Sequence, residues 1–293
     1  MSDNQPANAP TFAPLPRYGV IALDGPEAAV FAQAQFANDV SALAPGHWHW
    51  NTWLTAKGRV IAVFALLKQA DDALLLVLPD MPATAFCDTL RRFVFRRKVN
   101  ISPADWLVAG AFAMPACARD NALDMAEARI ELDLGAADGP RTLRLHREAI
   151  DPPSADFALR WYQQDLRVGL PRLVEGQREQ WTPQQLSLER LHAFSVRKGC
   201  YPGQEIVART HFLGKTKRGA LLLESAQPLP AGAQVLQSGQ AVGHVACGTE
   251  AGTLALAVLP LDLDAAQPLQ VQPDPAAAAV PVHVRPLVDG LAR

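Results

Sequence analysis

The sequence has little of what would place it in a specialised class. Only four cysteines, Cys87, Cys117, Cys200 and Cys247, occur in 293 residues, and no two form a C-x-x-C pair. That spacing excludes a disulfide framework, a zinc site and a complete cluster-ligating set, so no resident metal is expected. Neither sign of charge is in excess: 27 Lys and Arg stand against 29 Asp and Glu, a net charge of -2. A global pull toward nucleic acid or anionic membrane is therefore absent, and any anion recognition must be local. No apolar run reaches the roughly 20 residues needed to span a bilayer. The first residues lack the basic-then-apolar pattern of a secretion signal. These absences lead to the expectation of a cytoplasmic protein with no direct nucleic-acid or membrane partner.

What is present is an ordinary globular balance, 49% hydrophobic and 19% charged, long enough for two or three structural units. Residues 1–16, rich in Ala, Pro and Asn, read as a flexible tail. Asp24-Gly25-Pro26-Glu27 reads as a helix start, with Val30, Phe31, Ala34 and Ala37 giving the apolar face. A hairpin follows: Trp48, Trp50 and Leu54 share a strand face, Thr55 to Gly58 turn, and Val60 to Leu67 is a nearly continuous apolar run. Such a run suits a strand covered on both sides. Ala73–Leu78 reads as a further strand. Ala83–Lys98 reads as a helix on Phe86, Leu90, Phe93 and Val94, its basic end taken as a solvated face complementing the dipole.

Arg129–Leu134 and Thr142–Arg147 alternate as strands, and a helix is expected over Ala155–Val168. Beyond the junction near Leu213 to Lys217 the pattern changes to short strands separated by Gly, Pro and Asp. These are Ala220–Glu224, Ala233–Gln237, Ala241–Ala246, Thr253–Val258, Leu269–Val271 and Val280–Val284. Ser238-Gly239 fits a tight hairpin turn, and the biased stretch Pro273–Ala279 reads as a loop. Regular short strands point to a small antiparallel barrel.

Residues 197–219 carry most of the chemistry. Lys198 stands two residues before Cys200, and Gly199 and Gly203 bracket the thiol. A nearby ammonium favours a thiolate, and glycines let backbone and ligands approach closely. Tyr201 offers a flat face with a hydroxyl, and Gln204 and Glu205 can read a heterocycle's donor and acceptor edge. Arg209 and His211 suit a carboxylate or a proton. On residue types alone, a loop with a buried, inert cysteine is the slightly better description. His47 and His49 share a strand face, but ordinary polar strand residues describe them better than a metal site does.

Lys198-Gly199-Cys200-Tyr201-Pro202-Gly203-Gln204-Glu205 resembles the K-G-C-Y-x-G-Q-E signature of the YgfZ family, and Val207-Ala208-Arg209-Thr210-His211 resembles its continuation. Phe31, Gln35, Asp39 and Val40, then Ala56-Lys57-Gly58-Arg59, then Arg167-Val168-Gly169-Leu170-Pro171, resemble further family segments in order. The likeness spans roughly residues 17–290, but only the signature is highly specific. It implies a T-protein-like α+β fold: two interleaved α+β domains around a central folate channel over residues 17–213, and a C-terminal antiparallel β-barrel over 214–293. It further implies a tetrahydrofolate-binding accessory protein supporting iron–sulfur client enzymes, tRNA-modifying ones among them. By that resemblance Cys200 is the functional thiol assisted by Lys198. Lys198, Gly199, Tyr201, Gly203, Gln204, Glu205 and Arg209 are the cofactor-binding set.

The alternative is a folate-dependent aminomethyltransferase. That chemistry needs a carboxylate beside the folate to manage protons. The T-protein hairpin carries an Asp pair at positions matching Ile61 and Ala62 here, and Val60 to Leu67 contains no acid, so classical enzyme activity is not expected. The cysteines other than Cys200 are expected to be structural, Cys247 in a barrel strand and Cys87 on a helix.

Overall fold

The protein is described here by a computed structural model; it describes residues 10–150, 155–214, 216–249, 251–274 and 276–293. In chain order β1 (Ala13–Pro14) and β2 (Gly19–Asp24) precede α1 (Ala28–Gln35), β3 (His47–Leu54), β4 (Val60–Ala70), β5 (Ala73–Leu78), α2 (Ala83–Leu90) and β6 (Asn100–Pro103). There follow β7 (Leu107–Ala111), β8 (Asp124–Ala126), β9 (Arg129–Asp133), β10 (Thr142–His146), α3 (Ala155–Arg167) and α4 (Gln204–Leu213). The last six strands are β11 (Arg218–Ser225), β12 (Gln234–Gln237), β13 (Gln240–Gly248), β14 (Leu254–Pro260), β15 (Leu269–Gln272) and β16 (Val280–Arg285).

Among the described residues these strands make two five-stranded sheets and a closed barrel. One sheet has the order β1-β7-β10-β9-β8, the other β3-β4-β5-β2-β6, and the barrel runs β11-β14-β13-β12-β15-β16. All pairings are antiparallel. The chain enters the first sheet at β1, builds the whole second sheet, and returns to the first at β7. The mixed helix and sheet content and the closed C-terminal barrel match the expected fold class.

Burial explains the apolar runs. One face of β3, β4 and β5 packs Trp48, Trp50, Val63, Ala65, Leu67 and Val77 against Val108, Ile130, Leu132 and Leu143 of the other sheet. Its opposite face packs Trp53, Phe64, Leu66 and Leu76 under α1 and α2, which supply Phe31, Phe86 and Leu90. Strands covered on both sides read as continuous rather than alternating hydrophobics. The barrel encloses its own core of Leu223, Val235, Val245, Ala257 and Leu259. Leu166 and Tyr162 of α3 meet Leu222, Cys247 and Leu256 of the barrel. Ser238 and Gly239 both have positive φ, +51° and +78°, in the β12–β13 turn, the backbone that a two-residue hairpin loop demands.

Several expectations are corrected. Residues 1–9 of the expected tail, and Lys215 and Pro275 in the expected junction and loop, lie outside the described residues. From Ala13 the tail is not free: it pairs with β7, and Leu15 is buried in the main core. Asp24 ends β2 instead of capping a helix, and Val30 faces solvent while Ala28, Phe31 and Ala32 are buried. The expected helix to Lys98 stops at Leu90, continues for a single 3₁₀ turn, and leaves Phe95 exposed at positive φ. The Arg91 side chain departs to the Ile101 carbonyl and Arg97 to Glu27, contacts that helix periodicity cannot foresee.

A buried ionic cluster ties the layers together. Asp165 of α3 accepts from Arg141, at the start of β10, at 2.7 Å, and from Arg172 beyond α3. The Tyr18 hydroxyl accepts from Trp161 Nε1 at 3.1 Å and from Arg172 at 3.0 Å. Burial pushes the Tyr18 pKa up to about 12, so it stays a neutral donor and acceptor. Two guanidiniums therefore depend on one fully buried carboxylate. Asp165→Ala would leave both uncompensated, and urea unfolding should show a loss of about 3–5 kcal/mol. A loss under about 1 kcal/mol would mean that the cluster is dispensable.

Candidate functional site

The signature segment folds on itself before it touches anything else. The Ser195 hydroxyl accepts from the backbone N–H groups of Arg197 and Lys198, and the Ser195 N–H donates to the Ala37 carbonyl. Tyr201, buried, donates its hydroxyl to the Ser195 carbonyl at 3.0 Å, and Gln204 Nε2 reaches back to the Lys198 carbonyl at 3.4 Å. Burial pushes the Tyr201 pKa up to about 12. Gly203, at φ +81°, then starts α4, a helix that the sequence reading had not distinguished from loop.

Gly203 is a packing glycine. A Cβ there would lie 2.6 Å from the Gly58 Cα and 2.6 Å from the Thr55 carbonyl oxygen, and one on Gly58 would lie 2.9 Å from Ile206 Cβ. The β3–β4 turn and the start of α4 are thus pressed together at two facing glycines, both at positive φ. Gly199 differs: a Cβ there would meet nothing within 4 Å.

Lys198 overturns its expected role. Its side chain is buried and its ammonium donates to the carbonyls of Gln33 at 2.5 Å, Phe36 at 2.6 Å and Asn38 at 3.0 Å. A lysine ammonium has three hydrogens, and all three are used at the C-terminal end of α1, where carbonyls lack helical partners. Burial lowers its pKa to about 8, so it stays a cation at neutral pH. It is a clamp on the α1–β3 loop and has no hydrogen left for Cys200.

That loop floors an open cleft of about 540 Å³, lined among others by Asn38, Asp39, His49, Glu189, His192, Phe194, Arg197, His211 and Arg293. Asn38 is its hub. Its backbone N–H donates to Asn51 Oδ1, and its amide donates to the carbonyls of Trp50 at 2.8 Å and His192 at 2.6 Å. Asp39 Oδ1 accepts from Gln33 Nε2 at 3.0 Å and from the Ser41 and Ala42 N–H groups. The His49 ring lies between the amide nitrogens of Asn38 at 3.3 Å and Asn51 at 3.2 Å. The Asn51 amide oxygen is committed to backbone N–H groups, so its nitrogen faces His49 Nε2, while both Asn38 amide hydrogens go to the Trp50 and His192 carbonyls. Burial first, and the nearby Lys198 charge second, push the His49 pKa down to about 3. Arg293 Nε is buried beside the cleft without a partner.

The expected cofactor-binding set and Cys200 do not line this cleft, whereas His211, also singled out in the sequence, does. Lys198, Tyr201, Gly203 and Gln204 are brought together as its scaffold. Cys200 is exposed and free, three residues beyond the lining Arg197. Glu205 and Arg209 point from exposed positions of α4. The lining groups missed by the sequence reading, Asn38, Glu189, His192, Arg197 and Arg293, come from segments far apart in the chain; Asp39 and His211 stood in recognised motifs. Of the other cysteines, Cys87 and Cys247 are buried, with pKa values pushed up to about 11 and about 12 by burial. Cys117, expected to be structural, is exposed. No group of His, Cys, Asp and Glu among the described residues could hold a metal ion, and no helix among them is long and apolar enough to cross a membrane.

No protein-family model matches the chain. The tRNA-modifying protein YgfZ of Colwellia psychrerythraea is 28% identical over 231 residues, covering 72% of this chain and 70% of that protein. The protein of the same description from Aliivibrio fischeri (strain ATCC 700601 / ES114) is 26% identical over 289 residues, covering 90% and 89%. Joined to the signature at residues 198–205, these matches make the chain similar to the YgfZ proteins over most of its length. The glycine cleavage system aminomethyltransferase T of Bartonella henselae superposes with a TM-score of 0.70 at 14% identity, over 94% of this chain and 85% of that one. That likeness is one of fold.

Two outcomes follow for the clamp and the ring. Lys198→Met should destabilise the protein by about 1.5–3 kcal/mol in chemical unfolding, the range for charged hydrogen bonds, while changing the iodoacetamide reactivity of Cys200 less than about twofold. A tenfold drop in that reactivity would restore Lys198 as the thiol's activator. His49, with a native pKa of about 3, should show neutral-imidazole ¹⁵N shifts from pH 8 to pH 5, while an unfolded histidine titrates near 6.5. The native ring refuses the proton that the unfolded chain takes, so His49 lowers stability as pH falls from about 6.5 toward 3. A ring titrating above pH 6 would refute the arrangement.

Proposed function

We propose that the cleft binds tetrahydrofolate and that the exposed Cys200, on the turn above it, serves iron–sulfur client enzymes, tRNA-modifying ones among them, in the cytoplasm. The observation that carries this reading is the Lys198 clamp, which joins the signature directly to the carbonyls of the loop flooring the cleft. A volume of about 540 Å³ suits a drug-sized ligand. The donor set fits a folate: Asp39 and Glu189 can accept from the N–H edge of the pterin, Phe194 offers an apolar wall, and Arg197 and Arg293 suit the glutamate carboxylates. The unpartnered Arg293 Nε is a ready donor for such an oxygen. Bound tetrahydrofolate would supply a one-carbon carrier.

The chain's own groups hold the ligand and do not move its protons. His49 is kept neutral by burial, and Asp39 Oδ1 is engaged by three donors. Relatives named tRNA-modifying proteins support the link to tRNA modification. Cys200, being exposed, is placed for a partner, and one thiol is far short of a cluster's four ligands.

The aminomethyltransferase reading has one observation for it, the shared fold. Against it, Ile61 and Ala62 stand where the T-protein hairpin carries acids, and Ala62 is packed in the core beside Phe64. The deciding experiment is an anaerobic calorimetric titration with tetrahydrofolate. Saturable one-site binding is expected, unchanged in Cys200→Ala and about tenfold weaker in Asp39→Ala, the loss of one charged hydrogen bond. No binding at millimolar folate, or loss on Cys200→Ala, would overturn the cleft assignment.

A further inference from the structure

Away from this cleft, a second pocket of about 320 Å³ opens between the β9–β10 turn and α3. It shares no lining residue with the first. At its base lies Arg141, whose side chain is 2% exposed. Only one edge of this guanidinium is used: Nη1 donates to Asp165 Oδ1, and the plane lies 5.0 Å from the Trp161 ring. Nε and Nη2, which form the other edge of the fork, are buried without any partner. Two parallel N–H donors on one guanidinium edge match two oxygens of a carboxylate or phosphate.

The surroundings favour an anion. Asp165 is shared with Arg172, so Arg141 holds only part of one counter-charge. Arg160 and Arg167 stand exposed on α3 at the rim, Arg160 lying 4.9 Å from the Phe112 ring and 4.0 Å from Asp156. The carboxylate that lines the pocket, Asp138, is taken by Gln164 Nε2. Gly139 leaves the backbone side open, since a Cβ there would meet nothing. Leaving two buried guanidinium hydrogens unpaired is costly, and a ligand that accepts both recovers that cost on binding.

We propose that this pocket is a second binding site for a small soluble molecule bearing a carboxylate or phosphate group, held bidentately by the free edge of Arg141 and drawn in by Arg160 and Arg167. Any oxyanion of that shape satisfies the fork, and the size of the pocket limits the rest of the molecule to a small one. The site is independent of the folate reading and stands or falls apart from it.

The test is to follow the Arg141 Nε–H resonance of the full chain by NMR while titrating inorganic phosphate in one arm and succinate in the other. A saturable shift in at least one arm is expected, and the arm that saturates first names the preferred oxyanion. Arg141→Lys keeps the charge but loses the fork, and Arg160→Ala with Arg167→Ala keeps the fold while stripping the rim. Each should weaken binding by about tenfold, read for the lysine variant by calorimetry. A resonance unmoved by either anion at tens of millimolar, or a shift equally strong in the rim variant, would overturn the proposal.

Discussion

A buried ammonium has to find an acceptor for each of its hydrogens, and in this protein Lys198 finds three in a row at the end of α1. Much of the site follows from that. The carbonyls of Gln33, Phe36 and Asn38 are held in one cup, which fixes Asn38, and Asn38 in turn holds His192 and faces His49. The cleft therefore has a floor built from residues 33–39 and 189–197, segments joined by the lysine, the asparagine and the Ser195 N–H on the Ala37 carbonyl. The thiol two residues on is left in solvent, free of the cation that its neighbour might have supplied.

A second constraint reinforces the first. Gly58 and Gly203 meet with no room for a Cβ on either, so the hairpin turn and the first turn of α4 form one unit. This pins the signature to β3 and β4, whose sheet is covered on both faces. The same burial accounts for the missing acid. A carboxylate at Ala62 would be buried in the apolar cluster that holds Trp53, Phe64 and Phe86, at a cost of several kcal/mol if left unpaired. The hairpin has kept its packing role in a form that has no place for a titrating group.

Charge is distributed inside the molecule in an unusual way for a chain of net charge -2. Arg141 and Arg172 share Asp165, while Asp80, buried beyond Arg172, has its pKa raised to about 6 mainly by burial. Two guanidiniums and two carboxylates are thus gathered in the interior where α3 meets the first sheet. Overall composition hides such an arrangement, because opposite charges cancel in the sum.

The two-sided burial of β4, the barrel strands and the Ser238-Gly239 turn were all legible in the sequence, because each is written in local periodicity or in a residue's own backbone preference. So was the resemblance to the YgfZ proteins, through the segment 198–205. The roles within that segment were not. Proximity in sequence suggested that Lys198 serves Cys200, whereas the ammonium reaches carbonyls about 160 residues earlier in the chain. The early end of α2, the helix after Gly203, the lining of the cleft and the half-used Arg141 likewise depend on which distant groups meet. Sequence by itself determined the elements written in local pattern and the resemblance carried by the signature; tertiary structure alone decided where each polar side chain finds its partner. The physical reason is that periodicity and backbone preference act over a few residues, whereas a buried donor must be satisfied by whatever the folded chain brings within 3 Å.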